Sequence, residues 1–209
     1  MSRFAILGIL ALLVSAPAGA QQTDLISVVR AGTVEALTAA LSRGAAVDQR
    51  SADGTTPLIM AAALGKAEHV RVLLDANADA AAATAQGITA LMVGAAVLPP
   101  ADLQRLVQRG ATPTAADGLG RTAMTFAATG NNADGIRYLA SLGLSPNGRS
   151  GPFGNTDLHS AVIIGAIDSA RALIAAGANP QARNAIGQTP ADLCALPQRP
   201  GLCELLNRR

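Results

Sequence analysis

Two kinds of short apolar segment alternate along most of the chain. The first kind is rich in alanine, as in Met60-Ala61-Ala62-Ala63-Leu64, and the second carries larger aliphatic residues, as at Val70, Leu73 and Leu74. Residues three and four apart lie on one face of a helix, so the pattern predicts two consecutive helices. The small side chains of the first helix let neighbouring helices approach closely.

This pair of segments recurs with a fixed period, which indicates stacked structural repeats. A threonine precedes each first helix, and the five threonines are 33, 33, 34 and 33 residues apart. The threonine hydroxyl can cap the helix, and Pro57 suits the first helical position because proline has no N–H to donate. A glycine two residues before each threonine suits a turn with positive φ. The threonines are Thr56, Thr89, Thr122, Thr156 and Thr189, and the glycines are Gly54, Gly87, Gly120, Gly154 and Gly187.

A second column of residues marks the end of each second helix. It contains Gly44, Asn77, Gly110, Gly143 and Gly177. Glycine is the usual residue for a left-handed helix cap, and asparagine is the next best. Asn77 is therefore predicted to have a left-handed backbone.

The Thr-Pro-Leu sequence at Thr56-Pro57-Leu58, opening a unit of 33 residues, resembles the ankyrin repeat. The resemblance covers nearly all of the chain after residue 20. It implies an all-α repeat solenoid of five repeats and a partial C-terminal cap, in which each repeat has two antiparallel helices and a projecting finger. The predicted units are 23–54, 55–87, 88–120, 121–154, 155–187 and 188–209, all within one domain of residues 21–209. The family's concave face, formed by fingers and first helices, usually binds proteins.

Two units depart from the family pattern. Leu98-Pro99-Pro100 replaces the usual glycine turn of the third unit, so its second helix is expected to start at Pro100 or Ala101. The fourth unit has one extra residue, which the alignment places between 145 and 153. An enlarged, irregular finger is expected there.

The first 20 residues have the composition of a cleaved secretory signal peptide. Arg3 precedes an apolar run from Phe4 to Val14, and small residues end the segment at Ala18-Gly19-Ala20. We expect cleavage before Gln21 and a bacterial periplasmic location, with eukaryotic secretion as the alternative. The run is too short to span a bilayer, so no stable membrane anchor is expected after cleavage. Loss of Arg3 lowers the formal charge from +2 to +1, which gives no long-range attraction for nucleic acid.

Few residues are candidates for chemistry. His159 falls on the family's Thr-Pro-Leu-His position, where the imidazole has a structural role, and His69 is expected on the outer part of a second helix. Ser160 and His159 are neighbours in a helix and point to different faces. No spacing supplies a metal site, a nucleotide loop or a catalytic base. We therefore expect no enzyme activity, no metal and no cofactor.

Cys194 and Cys203 are the only cysteines. The alignment places them in two core columns that belong to the facing sides of the two helices of one repeat, with Ala61 and Val70 at the matching positions of the second unit. A disulfide is expected in an oxidising compartment, and two buried thiols are the alternative.

The residues with the strongest indication of function form a surface. The outward positions of the fingers and first-helix ends hold many large apolar residues, which usually marks an interaction site when the patch is contiguous. Folding of these side chains onto neighbouring fingers is the alternative. The predicted partner-binding residues are Leu64, Ile88, Val97, Leu119, Arg121, Phe153, Ile163, Ile164 and Ile186.

These observations favour a non-enzymatic, monomeric module that binds a protein or peptide partner. Two alternatives stay open: an accessory factor in envelope or oxidative stress defence, for example one that aids a catalase, and an immunity protein against a periplasmic toxin. The sequence does not identify the partner.

Overall fold

The computed structural model describes residues 24–194 and 200–207. The predicted signal peptide, 1–20, lies outside these residues. The regular elements of the described chain are helices and one short hairpin. Its elements are α1 (Leu25–Ala31), α2 (Val34–Ser42), α3 (Pro57–Ala63), α4 (Ala67–Asp75), α5 (Ala90–Ala95), α6 (Pro100–Gln108), α7 (Ala123–Thr129), α8 (Ala133–Ser141), β1 (Arg149–Ser150), β2 (Asn155–Thr156), α9 (Asp157–Ile164), α10 (Ile167–Ala175), a 3₁₀ helix (Ala191–Leu193) and α11 (Pro200–Asn207).

The helices form two layers. The first helices α1, α3, α5, α7 and α9 pack side by side in chain order, and the second helices α2, α4, α6, α8, α10 and α11 do the same. Within each unit the first helix also packs on the second. The core lies between the layers, where Ala61 and Leu73 of the second unit are completely buried. This is the predicted all-α repeat solenoid.

Threonine caps explain where the first helices begin. Thr56 Oγ1 accepts a hydrogen bond from the Ile59 N–H, and Thr89 Oγ1 accepts one from the Met92 N–H, both at 3.3 Å. In the first unit the cap shifts by one residue, because the Asp24 carboxylate accepts from the Ile26 N–H at 3.1 Å. Side-chain caps of this kind satisfy N–H groups that have no partner inside the helix.

The backbone at the helix ends follows the predicted column. Asn77 has φ of 61°, and the four glycines of the column also have positive φ. Asn131, which follows α7, has φ of 53° as well. That second left-handed asparagine was not predicted.

The fingers are joined to one another by backbone hydrogen bonds. The Ala85 N–H donates to the Asp53 carbonyl, the Gly118 N–H to that of Gln86, the Gly151 N–H to that of Leu119 and the Ala185 N–H to that of Phe153, at 2.8 to 2.9 Å. In the fourth unit the enlarged finger is an antiparallel hairpin that pairs Arg149 with Thr156. As expected, the second helix of the third unit starts at Pro100.

The sixth unit is shorter than the others. A 3₁₀ helix of three residues stands where the other units have a first helix, and α11 packs on α10. Within the described residues, no helix has both the length and the apolar character needed to cross a membrane.

Candidate protein-binding surface

Large apolar side chains are exposed at two places in the stack. The finger row consists of Leu119, Phe153 and Ile186, which are 56%, 52% and 61% exposed. The helix-end row lies at the C-terminal ends of the first helices and consists of Leu64, Val97, Ile163 and Ile164. Seven of the eight predicted apolar positions are therefore solvent-exposed.

The finger row is continuous. Its three residues occupy the same place on three successive fingers, one residue before the turn glycine. The carbonyls of Leu119 and Phe153 accept the hydrogen bonds that join each finger to the next, so the spacing of the row is fixed by the backbone. Three apolar side chains are thereby held in line on the surface.

The helix-end row is interrupted in the fourth unit. Gly130 stands where the other units have Leu64, Val97 and Ile164, and a Cβ atom there would lie 2.2 Å from the Ala96 carbonyl oxygen. No larger side chain fits without a shift of the backbone. The row is therefore divided into a pair in units two and three and a pair in unit five.

Two predicted residues contribute less to this surface than expected. Ile88, which precedes the Thr89 cap, is half-buried and so offers less apolar surface than a fully exposed position. Arg121 is engaged beside its own finger, where the guanidinium lies 2.7 Å from the Asp117 carboxylate and 4.9 Å from the centre of the Phe126 ring.

One exposed apolar residue was missed. Leu142, at the end of α8, is 42% exposed and lines an open groove of about 400 Å³. The matching positions of the other units hold Arg43, Ala76, Arg109 and Ala176. A leucine in a column of charged and small residues was the signal that could have predicted its exposure. The groove is lined by Pro113, Thr114, Thr122, Leu142, Gly143, Leu144, Ser145 and Gly148.

Both histidines are structural. His159 is completely buried, with Nδ1 beside the Thr156 N–H and Nε2 2.9 Å from the Gln188 carbonyl of the next unit. His69 was predicted on an outer face, which was wrong. It is buried, and its Nε2 lies 3.3 Å from the Gly32 carbonyl of the preceding unit. Burial lowers the pKa of both imidazoles, which favours their neutral form.

A buried carboxylate at Asp157 was also missed. Oδ1 accepts a hydrogen bond of 2.7 Å from Thr125 Oγ1, whereas Oδ2 is buried with no hydrogen-bond partner among the described residues. Burial raises the pKa of Asp157 to about 7, and the Thr125 hydrogen bond opposes that shift. Its burial depends on the neighbouring finger, which the repeat pattern does not reveal.

The sulfur atoms of Cys194 and Cys203 lie 2.07 Å apart, at disulfide-bonding distance. Cys194 is buried after the 3₁₀ helix, and Cys203 is half-buried on α11. Elsewhere, in the part of the chain that the structure describes, no group of three or more His, Cys, Asp or Glu side chains could hold a metal ion.

The family follows from comparison with known sequences. A family model described as ankyrin repeats (3 copies) matches residues 25–117 and 95–184. Together these segments cover most of the chain, and the protein belongs to the ankyrin-repeat family. A comparison with curated proteins gives no significant match. Ankyrin repeats are protein-interaction modules and are typically not enzymes.

Proposed function

We propose that this protein is a non-enzymatic periplasmic module that holds a protein or peptide partner on the face formed by its fingers and first helices. The observation that carries the proposal is the placement of the exposed large apolar side chains. Seven of the eight in the described residues belong to the finger row or the helix-end row. Apolar patches of this kind commonly mark protein contacts.

We expect one ligand to touch both rows. Phe153 lies on the enlarged finger, and Ile164 ends the first helix of the next unit. Truncating a buried aromatic anchor near the centre of an interface often costs about 2 kcal/mol or more. We expect these two residues to be the main anchors.

Affinity capture tests the proposal. The chain without residues 1–20 is immobilised, exposed to periplasmic extract, and the retained proteins are identified by mass spectrometry. We compare wild type with the double variant Phe153→Ala, Ile164→Ser. Leu142→Ser is the matched control, because it removes an exposed leucine at the end of a second helix, outside the two rows.

Wild type and Leu142→Ser should retain the same partner, and the double variant should retain much less of it at an unchanged melting temperature. Equal retention by all three proteins would exclude this surface. A large loss of melting temperature in the double variant would mean that these side chains stabilise the fold.

Export is tested separately. The full chain is expressed in a bacterium, the periplasm is released by osmotic shock, and the N-terminus of the recovered protein is sequenced. We expect it to begin at Gln21. A protein that stays in the cytoplasmic fraction with residues 1–20 intact would contradict the proposed location.

A further inference from the structure

We infer that the fingers of the fourth and fifth units bind a protein segment that carries acidic side chains next to apolar ones. This inference rests on the proposed function and adds the chemistry of the partner. It comes from the arginines that stand beside Phe153 and Ile186.

The two arginines are fixed at the fingers by backbone carbonyls. Arg149 Nη1 donates to the carbonyl of Gly154 at 3.0 Å and to that of Arg183 at 2.8 Å. Arg183 Nη1 donates to the carbonyl of Gly187 at 2.6 Å. Each guanidinium therefore contacts the glycine that follows Phe153 or Ile186 in the finger row.

Neither guanidinium group forms an ion pair with a carboxylate of the described residues. Among the residues that the structure describes, none lies within ion-pair distance of Arg149 or Arg183, and both side chains are exposed. The described hydrogen bonds of both use Nη1. Nε and Nη2 are then available to donate to a carboxylate in the fork geometry of arginine.

The surrounding sequence does not balance this charge. Residues 144–156 and 178–189 each contain one arginine and neither Asp nor Glu. Asp192 is near Arg183, but its carboxylate accepts hydrogen bonds from the N–H and hydroxyl of Thr189. The two fingers thus present positive charge together with exposed apolar surface, and a partner with acidic and apolar side chains complements both.

The finger that joins the first two units provides an internal contrast. Arg50 Nη1 makes the same kind of contact, to the Gly54 and Ala83 carbonyls, but the finger-row position is occupied by Asp53. That finger carries its own negative charge and no apolar residue at the same place. Among the described fingers, an arginine without an ion pair therefore stands beside an apolar side chain at Arg149 with Phe153 and at Arg183 with Ile186.

Binding of three labelled peptides of equal length tests the inference by fluorescence anisotropy. The first alternates Glu with Leu and Phe, the second has Lys in place of Glu, and the third has Ser in place of Leu and Phe. A single-stranded oligonucleotide is the fourth probe. The first peptide should bind most tightly, and its affinity should fall when salt is raised from about 50 to about 300 mM.

Two pairs of variants locate the site. Arg149→Gln with Arg183→Gln should weaken binding of the acidic apolar peptide about fivefold, the effect of losing two exposed ion pairs. Arg149→Lys with Arg183→Lys keeps the charge but loses the fork, so binding should weaken less than in the glutamine pair and stay below wild type. Arg50→Gln is the matched control and should change nothing, and melting temperatures report on folding.

Equal binding of the Glu and Lys peptides to wild type would overturn the inference, and this comparison needs no variant. Tighter binding of the oligonucleotide, or no binding of any peptide, would also overturn it. These failures leave the proposed function intact if a captured partner still depends on Phe153 and Ile164. The proposed function fails instead if capture does not depend on those two residues.

Discussion

At the scale of single residues, Asp157 is a carboxylic acid in a buried position where its charged form is disfavoured. It occupies the first position of α9, where the second, third, fourth and sixth units have Pro57, Ala90, Ala123 and Pro190; the first unit also has an aspartate, Asp24, which is exposed. Gly148 makes room for it, because a Cβ atom at 148 would lie 3.2 Å from Oδ2. The matching residues Gln49, Ala82, Ala115 and Ala182 all have a Cβ atom. The Asp157 carboxylate thus lies where the fingers of the other units have a Cβ atom.

The sign of the resulting pH dependence follows from the pKa. Burial raises the pKa of Asp157 in the folded state to about 7, above the ordinary 3.8. The folded protein therefore binds this proton more tightly than the unfolded chain does. The stability that the proton contributes is fully present below about pH 4 and is lost as the pH rises through 7.

Asp157→Asn removes this titration, so the variant should gain stability relative to wild type as the pH rises. Between pH 5 and pH 8 the difference in free energy of unfolding should change by about 2 to 3 kcal/mol in favour of the variant. Urea unfolding at the two pH values measures it. Asp168→Asn, which removes an exposed carboxylate of the same unit, is the control. A difference that does not change with pH would show that Asp157 stays ionised in the fold.

Residues that keep the repeat pattern could be predicted, and residues that interact across units could not. The left-handed backbone of Asn77 followed from its column of glycines, and the structural role of His159 followed from the family motif. The burial of His69 depends on a carbonyl 37 residues away, and that of Asp157 depends on the missing Cβ of Gly148. Neither contact can be recognised from the residue pattern of a single repeat.

At the scale of elements, Gly130 determines how closely two first helices approach. It ends α7, and the position of a Cβ atom there would be 2.2 Å from the Ala96 carbonyl oxygen and 2.5 Å from its Cα. Both atoms belong to the backbone, so they move only if the packing of α7 on α5 changes. Asn132 binds the same region, since its Nδ2 donates to the Ala95 and Leu98 carbonyls.

Gly130→Ala should therefore destabilise the protein by about 1 to 3 kcal/mol, the usual cost of overpacking. Its φ is negative, so the loss would come from the contact and not from backbone strain. Gly118→Ala is the matched control, because its nearest neighbour would be the Gln86 carbonyl oxygen at 3.6 Å. Equal unfolding midpoints for both variants in urea would show that α7 can move away from α5 at no cost.

A disulfide links the two helical elements of the short C-terminal unit. The first helix of this unit is a single 3₁₀ turn, and Cys194 and Cys203 join that turn to α11 across nine residues of sequence separation. On the chain-entropy estimate, closing a loop of this length contributes about 2 to 3 kcal/mol.

We predict that both cysteines are oxidised in protein recovered from an oxidising compartment such as the proposed periplasm. Mass spectrometry of unreduced, alkylated protein should show no alkylated thiol, and reduction should lower the melting temperature. The Cys194→Ser, Cys203→Ser variant should melt at the same temperature with and without reductant. Two alkylated thiols in the unreduced wild type would contradict the prediction.

Helix pairs and caps could be predicted because each is encoded within one unit, by threonine, glycine and the spacing of aliphatic residues. The 3₁₀ turn could not, since Thr189-Pro190-Ala191 keeps the pattern that starts the other first helices. The exposure of the finger row followed from its column, but the gap at Gly130 comes from a contact with the preceding unit.

At the scale of the whole molecule, the units are joined by polar contacts from one column of the second helices. His69 contacts the Gly32 carbonyl, Asp102 accepts from Arg71, and Ser169 Oγ donates to the Ala127 carbonyl. Each contact reaches the preceding unit, and all three residues are buried. In a repeat array, the free energy of unfolding is approximately the sum of terms for the single units and for the interfaces between neighbours. Loss of one contact should therefore let the units on either side of that interface open independently.

Asp102 allows this idea to be tested. Its carboxylate accepts from Arg71 Nε at 2.8 Å and from Nη2 at 3.2 Å, which joins the third unit to the second. Asp102→Ala should cost about 2 kcal/mol, since the partner is a charged group. Hydrogen exchange should then become faster in α1 to α4 than in α7 to α10, because the first two units can open without the rest.

Glu68→Ala is the matched control, because Glu68 binds the same arginine at 2.6 Å but is exposed and belongs to the same helix. Surface ion pairs of this kind contribute up to about 1 kcal/mol, and this one crosses no interface, so exchange in α1 to α4 should stay as in wild type. Faster exchange spread evenly over all units in Asp102→Ala would mean that the stack unfolds as one cooperative block. The buried polar contacts of the second helices would then stabilise the protein without determining at which interface between units it opens.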